Sequence, residues 1–472
     1  MGRDKVTKKS RSREPAERQR KRKRSQIVSK ISTSSVRTTS YRRLRNGLKN
    51  QLAFSEDRLA SIHRTALRVL DNLGIRVLHS EARRKFKVAG ALVNEATKIV
   101  KIDQTLIEQA LASAPSQFTL HGATMEKDVV LGGDSLVFGP VVGPPYVSDL
   151  DYGRRPGTLE DTRNFIKLSE HFDVIHVQTT NVESQDIPTQ FRHLKTTESQ
   201  LMLSQKPPFI YSRGASQVLQ ALEMVRIARG LNIDQFCERP FCYTSINTNS
   251  PRQLDMPMCQ GIIDFAEAGQ MLIITPFTLA GAMAPITISG ALILQHAEAL
   301  AGIALSQIVR PGAPVVYGSF TSNVDMKSGS PAFGTPEFVS AAFGAGQLAR
   351  HVGLPWRGSA ATSSNLPDGQ AVYETAMSAQ GNPFAPPSNV ISHLDSALGW
   401  WIAISEDVDI ISPFSFVHVY SHVPAQPFIV TDILPVSSMH SETSLSIINS
   451  SFSNIVNGKL FIHPLLSTTL IS

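Results

Sequence analysis

Apolar and polar positions alternate in blocks over residues 314–374, and the blocks predict strands and a helix. An apolar run at residues 315–317 ends at a glycine, which predicts a buried strand. A polar loop follows, and apolar and small residues then recur at helical spacing over residues 338–352. Gly353 and Pro355 end this helix, and a second short strand follows. This order predicts an α/β barrel, in which the loops after the strands form the active site.

Short apolar runs of this kind recur through most of the chain and extend the same rhythm. Helical stretches, such as residues 216–229 and 289–309, lie between most of the runs. Seven strands are one fewer than a closed eightfold barrel needs, so the eighth must come from the C-terminal part or from a misplaced strand. The pattern predicts an α/β fold, a (β/α)8 TIM-type barrel with an N-terminal helical segment and an atypical C-terminal end. The predicted strands lie at residues 136–139, 174–178, 208–211, 241–245, 271–275, 315–319 and 354–357.

The same pattern divides the chain into four regions. Residues 1–50 have few apolar positions and no period, which predicts a disordered basic tail. Residues 51–133 form the helical segment and end in a hairpin that covers the base of the barrel, and residues 134–378 form the barrel itself. Residues 379–472 form a divergent C-terminal region, where clustered prolines forbid a continuing helix. An altered reading frame is one hypothesis for this region, and genuine divergence or a strand-rich extension is the alternative.

Composition and charge add limits on the class of protein. The chain has 472 residues, of which 42% are hydrophobic and 18% charged, which is typical of a soluble globular protein. Its net charge of +7 arises in residues 1–50, which carry 18 of the 46 Lys and Arg residues and three of the 39 acidic residues. This tail could contact nucleic acid, but a solvated tail is the better interpretation. With no long uncharged apolar run and no apolar signal segment, we expect a cytoplasmic protein without a membrane span.

The three cysteines are Cys237, Cys242 and Cys259. Their odd number in a long chain indicates a reducing compartment. Cys237 and Cys242 have no histidine close by, and Cys242 lies within an apolar strand. A small buried side chain is therefore a better interpretation of Cys242 than a metal ligand, and we predict no metal site.

Five sequence blocks in this part of the chain carry a resemblance to a known family. They are Tyr317-Gly318-Ser319, Gly334-Thr335-Pro336-Glu337, Gln347-Leu348-Ala349, Gly353-Leu354-Pro355 and Leu366-Pro367-Asp368-Gly369-Gln370-Ala371. In this order they resemble the trimethylamine methyltransferase family, over residues 56–377. Members of that family transfer a methyl group from a methylamine to a corrinoid protein, and the resemblance implies the same activity here.

The resemblance also bears on the substrate and the cofactor. Archaeal members of the family carry pyrrolysine in the loop before the Leu-Pro-Asp block, and the equivalent position here is Ala361. The chain therefore resembles the branch without pyrrolysine, whose known substrates are quaternary amines such as glycine betaine. The resemblance implies a corrinoid (cobalamin) carried by a partner protein, because this chain has no Asp-x-His-x-x-Gly cobalamin signature. We also expect a homo-oligomer.

A quaternary ammonium ion binds well to aromatic faces in a dry pocket, helped by one or two carboxylates. Glu298, Gln370 and Glu374 are the catalytic candidates. The family has a glutamate at the Glu298 position, although a solvent-facing carboxylate is the alternative there. Gln370 and Glu374 are one helical turn apart and can line one wall, and Asp368 is predicted to cap their helix. The substrate-binding candidates are aromatic residues at predicted strand ends, for which a core role is the alternative: Tyr243, Phe277, Tyr317, Phe320 and Trp356.

The sequence thus favours methyl transfer from a methylated or quaternary amine to a corrinoid protein. One alternative is a different barrel chemistry, such as a lyase with an acid–base pair. Another is a non-catalytic barrel that binds quaternary amines, or an inactive family member with an altered C-terminus.

Overall fold

The computed structural model describes residues 44–46, 52–149, 152–364, 369–384 and 390–394. Its strands are β1 Leu44–Arg45, β2 Ile75–Val77, β3 Leu92–Asn94, β4 Ile99–Lys101, β5 Phe118–Leu120, β6 Val129–Leu131, β7 Ser135–Pro140, β8 Tyr146–Asp149, β9 Gly153–Pro156, β10 Tyr243–Thr248, β11 Gln253–Leu254, β12 Met271–Ala280, β13 Val315–Gly318, β14 Phe320–Val324, β15 Pro331–Ala332, β16 Trp356–Ser359 and β17 Val390–Leu394. Its helices are α1 Glu56–Arg68, α2 Ser80–Val88, α3 Gln104–Ser113, α4 Leu159–His171, α5 Thr189–Leu203, α6 Ala215–Ala228, α7 Ile233–Glu238, α8 Met256–Glu267, α9 Ile288–Val309, α10 Pro336–His351 and α11 Gly369–Phe384. A π-helical turn, Val69–Leu73, extends α1, and a 3-10 turn, Met125–Lys127, lies between β5 and β6.

A ring of parallel strands forms the centre of the fold. β10, β12, β13, β16 and β17 pair in parallel in this order, and β17 pairs in parallel with β7 as well. β17 is the eighth strand that the hydrophobic pattern leaves unassigned, and it comes from the C-terminal part of the chain. Its first residue, Val390, lies opposite Trp356 on one side and Leu136 on the other, so β17 connects the last strand to the first.

Two extended segments complete the ring between β7 and β10, at two of the predicted strands. The backbone N–H of His176 donates to the carbonyl oxygen of Phe138 on β7 over 2.8 Å. The backbone N–H of Gln178 donates to the carbonyl oxygen of Pro207 over 2.9 Å. Phe209 forms a parallel bridge with the first residue of β10. Neither segment is a regular strand. In the second, Pro207 and Pro208 lack the N–H groups that a continuous ladder requires. With these segments the ring has eight positions, which confirms the predicted (β/α)8 barrel.

Apolar side chains fill the barrel at the end where its strands begin. Hairpin β5–β6 covers this end and contributes Leu120, Val129 and Leu131 to the filling. The hairpin thus lies at the base, as the sequence predicts, and the base is packed. The opposite end, where the strands finish, is the one available to a ligand. The residues that the ring contributes to this cluster are Val137, Val177, Phe209, Tyr243, Met271, Ile273 and Val316.

Helix α9 is buried in the layer outside the ring. It packs between β12 and helices α1 and α3 of the N-terminal segment, so apolar residues occur on all its sides. Among the described helices it is long and apolar enough to cross a membrane, but 78% of its apolar window is buried inside the fold. Its burial is that of a core helix.

A small sheet joins the N-terminal segment to the barrel. β2, β3 and β4 come from that segment, and β11, which follows β10, pairs in parallel with β2. The Arg252 guanidinium strengthens this joint by donating to the carbonyl oxygen of Gly74 over 2.9 Å. The N-terminal segment therefore anchors one of the loops that follow the barrel strands.

Regular structure extends beyond the predicted elements near both ends of the described fold. β1 lies within the predicted disordered tail, where Leu44 pairs with Leu136 and Arg45 forms an ion pair with Asp134 at 3.3 Å. Helix α11 continues to Phe384 although it includes a proline, since a proline in the last turn removes one hydrogen bond of the helix. Most of the predicted tail and most of the predicted divergent region, residues 1–43 and 395–472, lie outside the described residues.

A buried lysine completes the end of helix α4. The Lys206 ammonium donates to the carbonyl oxygens of Phe172 (2.9 Å), Glu170 (3.2 Å) and Ser169. Three N–H groups thus meet three carbonyl groups at the end of the helix, where such groups lack partners within the helix. Burial lowers the pKa of Lys206, and the charge of Glu170 opposes this shift. Lys206 directly precedes the second extended segment, so it fixes the end of α4 against that segment.

We expect Lys206→Met to lower the free energy of unfolding by about 2–4 kcal/mol, because buried carbonyl groups lose their donor. Urea denaturation measures this difference. Lys195→Met is the matched control, since Lys195 is exposed on α5 in an ion pair with Glu198, and it should change stability by less than about 0.5 kcal/mol. A Lys206→Met variant as stable as the wild type would contradict the role of Lys206.

Candidate active site

The loops that follow the barrel strands lie at one face of the barrel. In a parallel barrel all strands end at the same face, so these loops converge there. Residues 360–364 follow β16 and include Ala361, the position that the family resemblance relates to pyrrolysine. We call residues 360–364 the site loop and this face of the barrel the mouth.

Four phenylalanines form an aromatic wall at the mouth. β12 pairs first with β10 and then, from Phe277 onward, with β14, so it extends beyond the barrel and carries Phe277 with it. The rings of Phe277 and Phe320 stack at 5.1 Å with an interplanar angle of 27°. The Phe333 ring lies 5.1 Å from that of Phe320 and 5.7 Å from that of Phe338. Sequence reasoning misses Phe333 and Phe338, although Phe333 directly precedes the block that begins at Gly334.

A polar layer lies between the apolar base and the mouth. The hydroxyl groups of Ser245 and Thr275 are 3.2 Å apart. A Cβ atom on Gly318 would lie 2.2 Å from Thr275 Oγ1, so a side chain at position 318 would clash with this layer. Arg357 is opposite Gly318 in the sheet and 7% exposed, and its charge acts on the buried Tyr243 hydroxyl. The interior thus changes from apolar to polar along the strands.

The site loop is held by the carboxylate of Glu374 on helix α11. Oε2 of Glu374 accepts hydrogen bonds from the backbone N–H groups of Ser363 (2.7 Å) and Ser364 (3.0 Å). Oε1 accepts from Gln370 Nε2 at 2.7 Å, so the two predicted catalytic residues on this helix contact each other. Ala361 is 3% exposed. The structure therefore brings Gln370, Glu374 and Ala361 together, while Asp368 lies outside the described residues.

Glu298 lies outside the ring, on helix α9, and is fully buried. Its carboxylate accepts hydrogen bonds from the hydroxyl groups of Thr248 and Ser250 (2.7 Å) and from the backbone N–H of Arg252 (2.7 Å). Burial raises the pKa of Glu298, and these donors oppose the shift. The solvent-facing alternative is therefore wrong. Glu298 holds the loop that follows β10.

Two of the five aromatic candidates contact the helical layer. The Tyr317 hydroxyl lies 2.7 Å from His296 Nδ1 on α9, and Trp356 packs in the same core with its indole N–H donating to Ser319 Oγ at 3.2 Å. Tyr317 and Trp356 are opposite each other in the sheet, so alternation along the strands directs both outward. Their neighbours in sequence are the residues that face the interior.

Tyr243 lies inside the barrel, but at its base. Its hydroxyl donates to the carbonyl oxygen of Gln178 at 3.0 Å, and its ring is 5.3 Å from that of Phe209. Phe277 and Phe320 are therefore the pair of predicted substrate-binding residues that the structure brings together at the mouth.

A charged cluster lies where the two extended segments of the ring end. Glu183, nine-tenths buried, accepts hydrogen bonds from Arg192 (3.1 Å) and Arg213. The exposed Arg213 guanidinium lies 4.1 Å from the centroid of the Tyr211 ring, and burial raises the pKa of Tyr211 to about 12. Two guanidinium groups thus contact one buried carboxylate. Sequence reasoning misses it, because its members are far apart in the chain and form no motif.

A chain of imidazole rings continues from the Tyr317 hydroxyl toward the surface. His296 Nε2 lies 2.8 Å from His63 Nδ1 on α1, and the His351 ring lies 4.8 Å from the His63 ring. Burial lowers the pKa of His63 to about 4, with His351 and Arg64 adding to the shift and Glu108 opposing it. Burial also holds the pKa of His296 well below its usual range. Both rings are therefore neutral in the folded protein at neutral pH.

Two further results concern metal ligands and thiols. Within the part of the chain that the structure describes, no three His, Cys, Asp or Glu side chains cluster as a metal site would require. Cys242 and Cys259 are buried free thiols, and Cys237 is a half-buried one. Burial raises the pKa of the Cys259 thiol to about 12 and that of Cys242 further. The two buried cysteines therefore act as small apolar side chains.

The fold defines a (β/α)8-barrel protein with a candidate site at its mouth. Residues 17–402 match the sequence profile of the trimethylamine methyltransferase (MTTB) family, and the chain belongs to this methyltransferase family. The match continues past residue 378 and includes β17, the strand that closes the ring.

Three relatives illustrate the range of the family. The chain is 36% identical over 356 residues to the glycine betaine methyltransferase of Desulfitobacterium hafniense (strain Y51), which covers 74% of this chain and 73% of that protein. It is 33% identical over 327 residues to the trimethylamine methyltransferase MttB of Desulfitobacterium hafniense (strain DSM 10664 / DCB-2), covering 68% and 65%. It is 30% identical over 338 residues to MttB1 of Methanosarcina mazei, covering 70% and 68%. The alignments thus span between 65% and 73% of these proteins.

The buried imidazole chain predicts a loss of stability in acid. Unfolded histidines take up protons below a pH of about 6.5, whereas His63 takes one up near pH 4 in the fold, so this stability is present above pH 6.5 and is lost as the pH falls toward 4. Between pH 7 and pH 4.5 we expect the free energy of unfolding of His63→Gln to fall by about 1–2 kcal/mol less than that of the wild type. Urea denaturation at several pH values measures the difference. His171→Gln, at an exposed position on α4, is the control, and equal pH dependence of wild type and His63→Gln would contradict the prediction.

Proposed function

We propose that this chain transfers a methyl group from a quaternary amine, glycine betaine or a close analogue, to a corrinoid protein. The observation that carries the proposal is the aromatic wall, whose half-buried Phe277 and Phe320 rings stack at the mouth beside the site loop. Aromatic faces attract a quaternary ammonium ion, which keeps its positive charge at every pH. The relatives named for glycine betaine and trimethylamine support an amine substrate.

The side chains of the site suit a reaction without proton transfer. In a quaternary ammonium ion the nitrogen is already a good leaving group, since the C–N bond breaks with its electron pair on nitrogen and a neutral tertiary amine departs. A reduced corrinoid on a partner protein supplies the nucleophile for such a transfer. The chain then has to orient one methyl group and exclude water. Phe277, Phe320 and Phe333 would face that partner, because they are large apolar residues that remain half-exposed at the mouth.

Ala361 supports a quaternary rather than a tertiary amine. Its methyl side chain has no electrophilic group that could capture an uncharged amine. Glu374 and Gln370, the catalytic candidates of the sequence analysis, lie beside its loop on this side of the mouth. Glu298, Tyr317 and Trp356 contact the outer layer, so their influence on the substrate would act through the loops and strands that they hold.

The arginine cluster supports a substrate that carries a carboxylate as well as an ammonium group. Arg192 and Arg213 both contact the carboxylate of Glu183, and the Arg213 side chain is 47% exposed. A guanidinium group binds a carboxylate strongly through paired hydrogen bonds. Glycine betaine has a carboxylate one carbon from its ammonium nitrogen, so Arg213 is our candidate for its recognition.

The same proposal includes the surroundings of the reaction. We place it in the cytoplasm, where the free thiols would stay reduced. We also propose a homo-oligomer, which would cover large apolar side chains that α5 and α6 expose, such as Phe191, Met202, Leu219 and Ile227. Sedimentation velocity tests the oligomer, and a monomer at all concentrations would exclude it.

The amine panel tests the function. We expect faster methylation of a reduced corrinoid protein, followed by its visible absorption, with glycine betaine than with trimethylamine. Phe277→Ala and Phe320→Ala should each weaken quaternary amine binding by about 1–2 kcal/mol, the strength of a desolvated cation–π contact. Met125→Ala, at an exposed apolar position in the turn between β5 and β6, is the control. Faster turnover of trimethylamine than of every quaternary amine would defeat the proposal, and binding without turnover would indicate a non-catalytic barrel.

A second variant tests the carboxylate contact. We expect Arg213→Met to raise the KM for glycine betaine about tenfold, because one charged hydrogen bond is lost, and to leave the KM for tetramethylammonium within about twofold. Arg226→Met, at a surface arginine paired with Glu223 on α6, is the matched control. Equal effects of Arg213→Met on both substrates would remove Arg213 from carboxylate recognition.

A further inference from the structure

The site loop is connected to the aromatic wall through one serine. Ser363 Oγ accepts a hydrogen bond from the backbone N–H of Phe333 at 2.8 Å and lies 3.2 Å from the carbonyl oxygen of Pro331. The backbone N–H of the same residue donates to Glu374 Oε2. Ser363 therefore ties helix α11, the site loop and the segment with Phe333 into one unit.

Both oxygens of the Glu374 carboxylate accept hydrogen bonds in this unit. One oxygen accepts two backbone N–H groups, the other accepts the side chain of Gln370, and the residue is 8% exposed. Donors of this kind disperse the negative charge and hold the carboxylate in one orientation. A carboxylate with both oxygens occupied is poorly placed to contact a substrate cation as well.

Gly334 shows how closely α11 approaches this segment. It has a φ of +71°, and a Cβ atom there would lie 2.4 Å from the Glu374 Cβ atom. The backbone that follows Phe333 thus packs directly on Glu374, which is possible because residue 334 has no side chain. Residues 331–334 are thus held by Ser363 at Pro331 and Phe333, and they contact Glu374 directly at Gly334.

We propose that Glu374 is a positioning residue, whose carboxylate clamps the site loop and, through Ser363, sets the distance between Ala361 and the aromatic wall. This role replaces the catalytic role that the sequence suggests for Glu374. The clamp itself follows from the hydrogen bonds, and its effect on a quaternary amine rests on the proposed function. The clamp determines the width of the pocket in which a quaternary ammonium group would lie. Its loss widens the pocket and leaves the chemical step without a fixed methyl group.

Glu374→Gln and Glu374→Ala separate positioning from catalysis. Glutamine keeps one oxygen that can accept both loop N–H groups, and its amide can donate to Gln370 after the Gln370 amide rotates, so the clamp survives without the charge. Alanine removes it. We expect kcat/KM within about threefold of wild type for Glu374→Gln, and a KM for glycine betaine raised at least about tenfold for Glu374→Ala. Glu337→Ala, at an exposed carboxylate in the first turn of α10, is the control.

Hydrogen exchange tests the clamp without any substrate. The peptide that contains Ser363 and Ser364 should exchange its amide hydrogens at least about tenfold faster in Glu374→Ala and at the wild-type rate in Glu374→Gln and Glu337→Ala. Unchanged exchange in Glu374→Ala would overturn the clamp. A Glu374→Gln variant as inactive as Glu374→Ala, with protected loop amides, would assign the charge a direct role in catalysis and overturn the positioning role. If the variants exchange as expected but the wild-type protein methylates no corrinoid protein with any amine, the proposed function is rejected and the clamp is retained.

Discussion

Pairing of β17 with both β16 and β7 is the constraint on which the rest of the structure depends. An open ring would leave two edges of unpaired N–H and C=O groups and expose the apolar filling of the barrel. In the closed ring, side chains alternate between the interior and the helical layer, and every loop after a strand reaches the same face. Because of this closure, residues far apart in the chain, such as Phe277 and Ala361, belong to one mouth.

The rhythm of the fold can be predicted from the sequence, because buried strands leave short apolar runs that end at glycine or proline. The closing strand cannot, since Val390–Leu394 is five residues long and follows a group of prolines. The two segments between β7 and β10 are correctly placed in the ring but lack regular pairing, and in the second of them the cause is local, namely the two adjacent prolines before Phe209. Short-range patterns thus predict where most strands lie better than they predict how each strand pairs with its neighbours.

The candidate site is predictable in part, for a related reason. A pair such as Gln370 and Glu374 follows from helical spacing, and the structure places the two side chains in contact. The direction of Tyr317 and Trp356 depends on where each strand begins, and a shift of one residue exchanges inside and outside. Ser363 bonds to Phe333, and two arginines contact Glu183. The chain has many other polar and charged residues, and nothing in the sequence marks these as partners. Such contacts require coordinates.

β12 belongs to two sheets at once, and this has a consequence for where the site can change. One unbroken strand carries both the register of the barrel and the ring of Phe277, so the wall cannot shift without disturbing the core. The site loop follows a strand of four residues and contributes Ala361 from a segment without regular pairing. In this chain a substitution in the loop would therefore change the site with less disturbance of the core than a substitution in the wall.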